Sequence, residues 1–241
     1  DKNQNNLLRI DAGVYYVKIT GEESTVVDML AFTKPDILLP IVAKLYSEKD
    51  YESAVNFYDS LVSSFSSIAD NDETVDKAGS QKILEQSRNN LADMMLNKEL
   101  PAEIRNNAAS ALKGRTFDGL EDSFFQALSD PDVRHNALEG IKTINENMPK
   151  SDKPLDPKYA EILVGLFNDP DEYVIYDSVE AAGFYASDAN VLQGLSNLAK
   201  NENVPKDSRL SAGKTMLAVS NDIPKLINDY GALTVNGQNY L

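Results

Sequence analysis

The sequence lacks cysteine and tryptophan, contains a single histidine, and is poor in basic side chains. Lysine and arginine together number 23, against 38 aspartates and glutamates, so the formal net charge over 241 residues is −15. Without cysteine the chain has no disulfide scaffold, zinc–cysteine site, iron–sulfur cluster or thiol nucleophile. Because proteins that bind duplex DNA need basic charge to displace counterions, the acidic excess argues against nucleic acid as a partner.

Long apolar runs and compact catalytic motifs are also missing. The best apolar run, Ile37–Val42, contains Pro40 and falls well short of the roughly 20 residues of a membrane-spanning helix. His135 is the only imidazole, which excludes a metal site with two histidines. The acidic stretch Asp70–Asp76 fails as a calcium loop, because Val75 and Gln81 occupy the positions of the required glycine and carboxylate. We therefore predict no catalytic residue, metal or cofactor, and a function other than enzymatic.

The start of the chain suggests a compartment. The sequence begins at Asp1 rather than methionine and continues with the polar stretch Asp1–Asn6. Such a start suits a chain trimmed after an export signal or a lipid-anchor cysteine. The expected location is therefore a bacterial envelope or periplasm rather than the cytoplasm.

Apolar residues recur at helical spacing along almost the whole chain. Leu7, Ile10, Val14 and Val17 are three or four positions apart, which predicts one face of a helix. A second stripe runs from Ala54 to Phe65. The β-branched and aromatic stretch 13–20 could form a strand, but a helix is favoured there because no partner strand is near. Short links between the helices favour antiparallel hairpins, so the predicted fold class is all-α.

The second half of the chain repeats itself. The aligned segments are Glu103–Leu112, Asp132–Ile141, Tyr173–Ala182 and Asp207–Met216. Small residues share one column: Ala108, Ala137, Ser178 and Ala212. A second small column holds Ala111, Gly140, Ala181 and Thr215. Arginine fills a further column at Arg105, Arg134 and Arg209. The spacings between the first-column residues, 29, 41 and 34, are typical of helical repeat proteins.

This pattern resembles the HEAT-like repeats, in particular the short bacterial form also found in phycobilin lyases. The resemblance covers residues 80–220 and is clearest in 130–141 and 103–112. It departs from the family pattern at Ile175, where the arginine is missing, and at Ser208, where an apolar residue is usual. The resemblance implies an α-solenoid of stacked antiparallel helix pairs over 1–241, with divergent N-terminal hairpins in 1–79 and a C-terminal cap in 221–241.

In such arrays the second helices of successive pairs line a concave surface. Projecting the aligned segments onto that surface gives a polar, mildly acidic face with one aromatic and one imidazole. The candidate binding residues are Asn107, His135, Asn136, Glu139, Tyr176, Asp177, Glu180 and Lys214. The stretch 142–158 is instead interpreted as a solvated face, because acidic residues are interleaved with its four lysines.

The expected function is a non-enzymatic scaffold that binds a protein or peptide of basic character on this concave face. Two alternatives stay open. One is a chaperone-like or lyase-like holder of a small prosthetic group, and the other is a structural segment of a longer solenoid. The identity of the partner and the oligomeric state are also open.

Overall fold

The computed structural model describes residues 2–71, 77–147, 157–186, 188–219, 223–231, 234–235 and 238–239. Within these residues the chain forms thirteen α-helices and one 3-10 turn, Pro35–Ile37. The first six helices are α1 Lys2–Thr20, α2 Glu23–Ala31, α3 Leu38–Ser47, α4 Tyr51–Asn71, α5 Lys77–Leu96 and α6 Ala102–Leu112. The others are α7 Leu120–Ala127, α8 Arg134–Asn147, α9 Pro157–Leu166, α10 Glu172–Gly183, α11 Ala189–Lys200, α12 Lys206–Val219 and α13 Ile223–Tyr230.

The predicted all-α class is confirmed. Residues 13–20, where a strand was the alternative, form the second half of α1. The exception is a minimal antiparallel pairing of two residues each, β1 Thr234–Val235 with β2 Gln238–Asn239. No helix in the described part of the chain is long and apolar enough to cross a membrane.

The chain divides into two compact units, Asp1–Leu112 and Lys113–Leu241. In the first unit α4 is the central element, because it packs against α2, α3, α5 and α6. Its predicted apolar stripe from Ala54 to Phe65 is buried throughout. The stripe of α1 is only partly buried: Val14 and Val17 are covered, whereas Leu7 is 62% exposed. The predicted boundary at residue 79 stays a prediction.

The second unit is built from three antiparallel helix pairs, α7 with α8, α9 with α10 and α11 with α12. The second helices pack in succession, because α10 contacts both α8 and α12. Among the first helices, α9 packs against α11. This arrangement places α8 and α10 side by side.

The aligned small residues explain how the helices approach each other. All four first-column residues, Ala108, Ala137, Ser178 and Ala212, have no measurable exposure. In the second column Gly140 is buried against α7, and a Cβ there would lie 2.4–2.8 Å from three ring atoms of Phe124. A side chain at this position is therefore excluded by the ring on the partner helix.

The arginine column ties helix starts to preceding turns. Arg105 Nη1 donates to the Leu100 carbonyl (2.6 Å), and Arg134 Nε donates to the Leu128 carbonyl (2.8 Å). Arg134 also forms an ion pair with Asp169 in the turn before α10, where both side chains are largely buried. This pair links the second helix pair to the first. Arg209 Nε is buried and has no hydrogen-bond partner in the described part of the chain.

Asp130-Pro131 and Asp169-Pro170 each combine a capping type of side chain with a proline suited to a first helical turn, which predicts helix caps there, but both aspartates lie too early in the sequence. The side chains of Asp130 and Asp169 accept bonds from the backbone amides two residues on, at 3.1 and 2.9 Å, and so close turns instead of capping helices. The cap of α10 is Asp171, whose carboxylate accepts from the Tyr173 amide at 2.9 Å. The acidic stretch 70–76, which fails as a calcium loop, lies largely outside the described residues, and so does the longer link 147–156.

Candidate recognition surface on helices α8 and α10

Six of the eight predicted binding residues come together where α8 packs against α10. His135, Asn136 and Glu139 are on α8, and Tyr176, Asp177 and Glu180 are on α10. His135 Nδ1 lies 2.9 Å from Asp177 Oδ2 and so joins the two helices directly. The imidazole side chain keeps 57% of its surface exposed, whereas the Asp177 side chain is nearly buried. Only the histidine of this pair is therefore open to a partner.

Two lysines that the sequence prediction left out complete the cluster. Lys142, one turn further along α8, pairs with Glu180 and lies 3.6 Å from Asp177 Oδ1. Lys113, in the turn after α6, pairs with Glu139 and donates to Asn136 Oδ1 at 3.4 Å. We call these eight residues, Lys113, His135, Asn136, Glu139, Lys142, Tyr176, Asp177 and Glu180, the α8–α10 cluster.

The cations change the electrostatics expected for this surface. The ion pair with Lys113 holds the pKa of Glu139 below its usual value. Burial opposes the charge on Lys142, but the interactions with Glu180 and Asp177 together outweigh it, so the pKa of the lysine is raised. Each clustered carboxylate therefore already faces a cation. The α8–α10 cluster is a mixed network of ion pairs, not a one-signed acidic face.

Tyrosine side chains extend the cluster along α10. Tyr173 and Tyr176 are three residues apart, hence on one side of the helix, and are 77% and 40% exposed. A hydrogen bond to Glu180 raises the pKa of the Tyr176 hydroxyl, so it stays protonated. Tyr185, by contrast, is buried, and accepts a bond from Asn145 at 2.7 Å. The exposed tyrosines are therefore in the first two turns of α10, and Phe184, just after the helix, is 37% exposed as well.

A shallow cavity of about 420 Å³ adjoins the cluster. Its lining is Lys113, Gly114, Glu139, Lys142, Thr143 and Glu146. Glu146 is exposed and has no cationic partner in the described part of the chain. The cavity thus offers one unpaired carboxylate beside the ion pairs.

Two predicted binding residues do not join this cluster. Asn107 is half-buried on α6, which belongs to the first unit. Lys214 is exposed on α12 and forms no ion pair with the described residues of the cluster. The cluster thus includes six of the eight predicted residues, all on α8 and α10, together with Lys113 and Lys142, while the roles of Asn107 and Lys214 stay predictions.

His135 is held by Asp177, but no serine or threonine hydroxyl is hydrogen-bonded to its ring among the described residues. In the same residues no three histidine, aspartate or glutamate side chains are grouped as metal ligands would be. What the fold and the cluster define is an all-α chain of helix pairs with an exposed polar and aromatic surface.

Comparisons with known proteins add no identity to this description. No protein-family model, curated protein or solved structure matches the chain.

The sequence contained a signal for one of the missed residues. Lys142 follows His135 by seven positions and Glu139 by three, so it belongs to the same stripe of α8. The sequence pattern indicated a solvated face for Lys142 instead, because it is the first residue of the stretch 142–158, in which lysines alternate with acidic residues. Lys113 gave no such signal, since it lies in a turn and reaches Glu139 only through the folded structure.

Proposed function

We propose that the protein is a non-enzymatic scaffold that binds a protein or peptide of basic character through the α8–α10 cluster and the exposed tyrosines beside it. The observation that carries the proposal is the juxtaposition of exposed His135, Tyr173 and Tyr176 with a set of ion pairs that is already satisfied. Interfaces are enriched in tyrosine, which supplies contact area at a low cost in conformational entropy.

The ion pairs support this role because they fix the surface before a partner arrives. Lys142 contacts both Asp177 and Glu180, and His135 connects α8 to α10. These contacts hold the polar side chains in one conformation before a partner binds. A surface that is ordered beforehand loses less conformational entropy on binding. The exposed tyrosines would then provide the surface that is buried against the partner, and the polar side chains around them would orient the partner through hydrogen bonds.

A basic partner is favoured by charge at two ranges. At long range the net charge of −15 attracts cations and speeds their association. At short range the carboxylate of Glu146, which has no cationic partner among the described residues, lies at the rim of the adjoining cavity. Binding should therefore weaken as salt rises, since screening acts over about 10 Å at 0.1 M.

We also propose that the helix pairs of Lys113–Leu241 are successive units of an α-solenoid of the HEAT-like type. The packing of α10 against both α8 and α12 supports this, as do the buried small residues at the aligned positions. In such an array a row of second helices forms a binding surface, which is where the α8–α10 cluster lies.

The test is capture of a binding partner by the purified protein from an extract of its source organism, followed by measurement with the identified, purified partner. The variant is His135→Ala with Tyr176→Ala, which removes two exposed side chains. Exposed substitutions of this kind change stability little, and circular dichroism checks that the helices are retained. A matched control is Tyr15→Ala with Phe32→Ala, which removes two aromatics that are 69% and 64% exposed in the first unit.

We expect the wild type and the control to bind the partner and the folded His135/Tyr176 variant to bind at least tenfold more weakly, as for the loss of one interface hot spot. Equal binding by all three proteins, or a loss in the control instead, would place the surface elsewhere. If no protein is captured by the wild type, the scaffold proposal is wrong.

A further inference from the structure

A second cavity, of about 230 Å³, lies in the first unit between α3, α4 and α5. Its lining is Tyr46, Tyr58, Asn90, Asp93, Met94 and Asn97. None of the binding residues predicted from the sequence lies in it. The lining combines two aromatic rings, two amides and one carboxylate, and it includes no basic side chain.

The inner wall of the cavity is held by a buried hydrogen bond. Asn90 Nδ2 donates to the Tyr58 hydroxyl at 2.9 Å, and Tyr58 is almost wholly buried. Burial raises the pKa of Tyr58 to about 12, so the hydroxyl stays neutral. With the Asn90 amide nitrogen committed to Tyr58, its carbonyl oxygen is left as an acceptor for a ligand.

The charged group of the cavity is Asp93, on the exposed side of α5. No cation or hydrogen-bond donor in the described part of the chain pairs with this carboxylate. That sets it apart from Glu48 on the same unit, which lies 2.5 Å from Lys18 Nζ. The cavity therefore presents an unneutralised negative charge beside amide acceptors.

Tyr46 supplies the aromatic surface. Its ring packs edge-on against Tyr51, with centroids 5.1 Å apart, and this contact fixes its orientation. The residue is half-buried, so part of the ring borders the cavity. An aromatic face beside a carboxylate is a chemical combination that attracts organic cations, through the ring quadrupole and the ion pair together.

We propose that this cavity binds an alkylammonium group, with Asp93 as the counter-ion, Tyr46 as the aromatic wall and the Asn90 carbonyl as a hydrogen-bond acceptor. Such a group is carried by the side chain of a lysine and by small free diamines. The inference does not rest on the α8–α10 cluster, because the cavity lies entirely within Asp1–Leu112.

The test is titration of the full-length, 15N-labelled protein with 1,5-diaminopentane, followed by amide shifts in NMR spectra. We expect saturable shifts confined to the backbone and side-chain amides around Tyr46, Asn90 and Asn97. A parallel titration with Nα-acetyl-lysine N-methylamide distinguishes a lysine side chain from a free diamine. Binding of either amine supports the proposal, and their relative affinities assign the source.

The neutral control ligand is 1,5-pentanediol, which has the same length and no charge. The variant Asp93→Asn keeps the shape of the cavity and removes its charge, and we expect it to weaken amine binding about two- to fivefold, the size of one partly screened ion pair. Tyr46→Leu should also weaken binding while leaving the fold intact. Glu85→Gln, two turns earlier on α5 and outside the cavity, is the matched control and should bind as the wild type does.

Three results would overturn the proposal. The first is the absence of saturable shifts with both amines. The second is equal binding of the diol, which would mean that charge plays no part. The third is unchanged affinity in Asp93→Asn together with Tyr46→Leu, which would place the amine elsewhere. Because none of these variants touches α8 or α10, failure here leaves the proposed scaffold function unaffected, and the reverse also holds.

Discussion

Single positions in the repeat columns show how closely sequence and packing correspond. The column that holds Ala108, Ala137, Ser178 and Ala212 was identified from residue size alone, and every member is buried in the structure. The physical reason is that a packed helix–helix contact limits side-chain volume at the point of closest approach. Gly140, in the neighbouring column, is the extreme case because the Phe124 ring occupies the space of its missing Cβ.

Replacing Gly140 by alanine should therefore destabilise the second unit. The new methyl group meets three ring atoms of Phe124 at 2.4–2.8 Å. Overpacking of this kind costs about 1–3 kcal/mol, which exceeds the roughly 1 kcal/mol that alanine gains over glycine in a helix. We expect a lower free energy of unfolding in chemical denaturation followed by circular dichroism.

Gly165 provides the matched control for this substitution. It also lies in a helix, α9, but no atom beyond its own surroundings lies within 4 Å of the position its Cβ would take. Gly165→Ala should leave stability unchanged or raise it by up to about 1 kcal/mol. If both variants behaved alike, the close packing of α7 on α8 would be contradicted.

Ion pairs of the α8–α10 cluster predict a dependence of stability on pH. The pKa of Glu139 is lowered in the folded protein by Lys113. A lowered carboxyl pKa contributes stability above the unfolded value, near 4.3, and that contribution is lost as pH falls through the folded pKa. Both side chains are about one-third exposed, so the pair contributes only about 0.5 kcal/mol after screening.

The variant Lys113→Gln isolates this contribution. We expect it to be about 0.5 kcal/mol less stable than the wild type at pH 7, and the difference should shrink towards pH 3 as Glu139 takes up a proton in the folded protein. Unfolding curves at the two pH values measure the difference. A gap that persisted unchanged at pH 3 would mean that Lys113 acts through packing and not through the carboxylate.

At the scale of helices, the type of secondary structure was predictable from the sequence, but the residues at which the helices begin were less so. The helical spacing of Ala54–Phe65 and its neighbours predicted all-α structure because one buried face suffices to define the period. Helix starts depend instead on which of several polar residues caps the first turn. In the stretch before α10, three candidate acids lie within four positions, and the structure selects Asp171 over Asp169.

The cap of α10 offers a direct test at this scale. Asp171→Ala removes the acceptor for the Tyr173 amide and should lower the free energy of unfolding by about 1 kcal/mol, the usual loss for an N-cap. Asp171→Asn retains an acceptor oxygen and should lose much less. Thermal unfolding of both variants gives the comparison, and equal losses would show that the side-chain bond is not what begins the helix.

At the scale of the whole molecule, the sequence predicted one continuous array, and the structure divides the chain into units that meet at Leu112 and Lys113. The repeat alignment crosses this division, since its first segment forms α6 and the others form α8, α10 and α12. The spacing of apolar residues predicts which face of each helix is buried, but it does not predict where the chain divides into separate compact units. Asn107, on α6, belongs to the first unit, and its place on the predicted surface stays a prediction.

The net charge could be predicted from the sequence, but the pairing of individual charged side chains could not. The sum of −15 follows from composition, whereas the pairing of Lys113, Lys142 and His135 with clustered carboxylates depends on the fold. The sequence could thus predict part of the candidate site, namely its residues on α8 and α10. Its neutralised character could not, because the cation from the turn after α6 is distant in sequence from its partner.

The central claim, that this protein binds a partner through the α8–α10 cluster, is tested most directly by site-specific photo-crosslinking. A photoreactive benzoylphenylalanine replaces Tyr176 in one protein and Phe32 in another, and each is irradiated in extract of the source organism. The account predicts a covalent adduct with one protein from position 176, suppressed by excess unlabelled wild type, and none of that adduct from position 32. An adduct from position 32 alone, or no competable adduct from position 176, would contradict it.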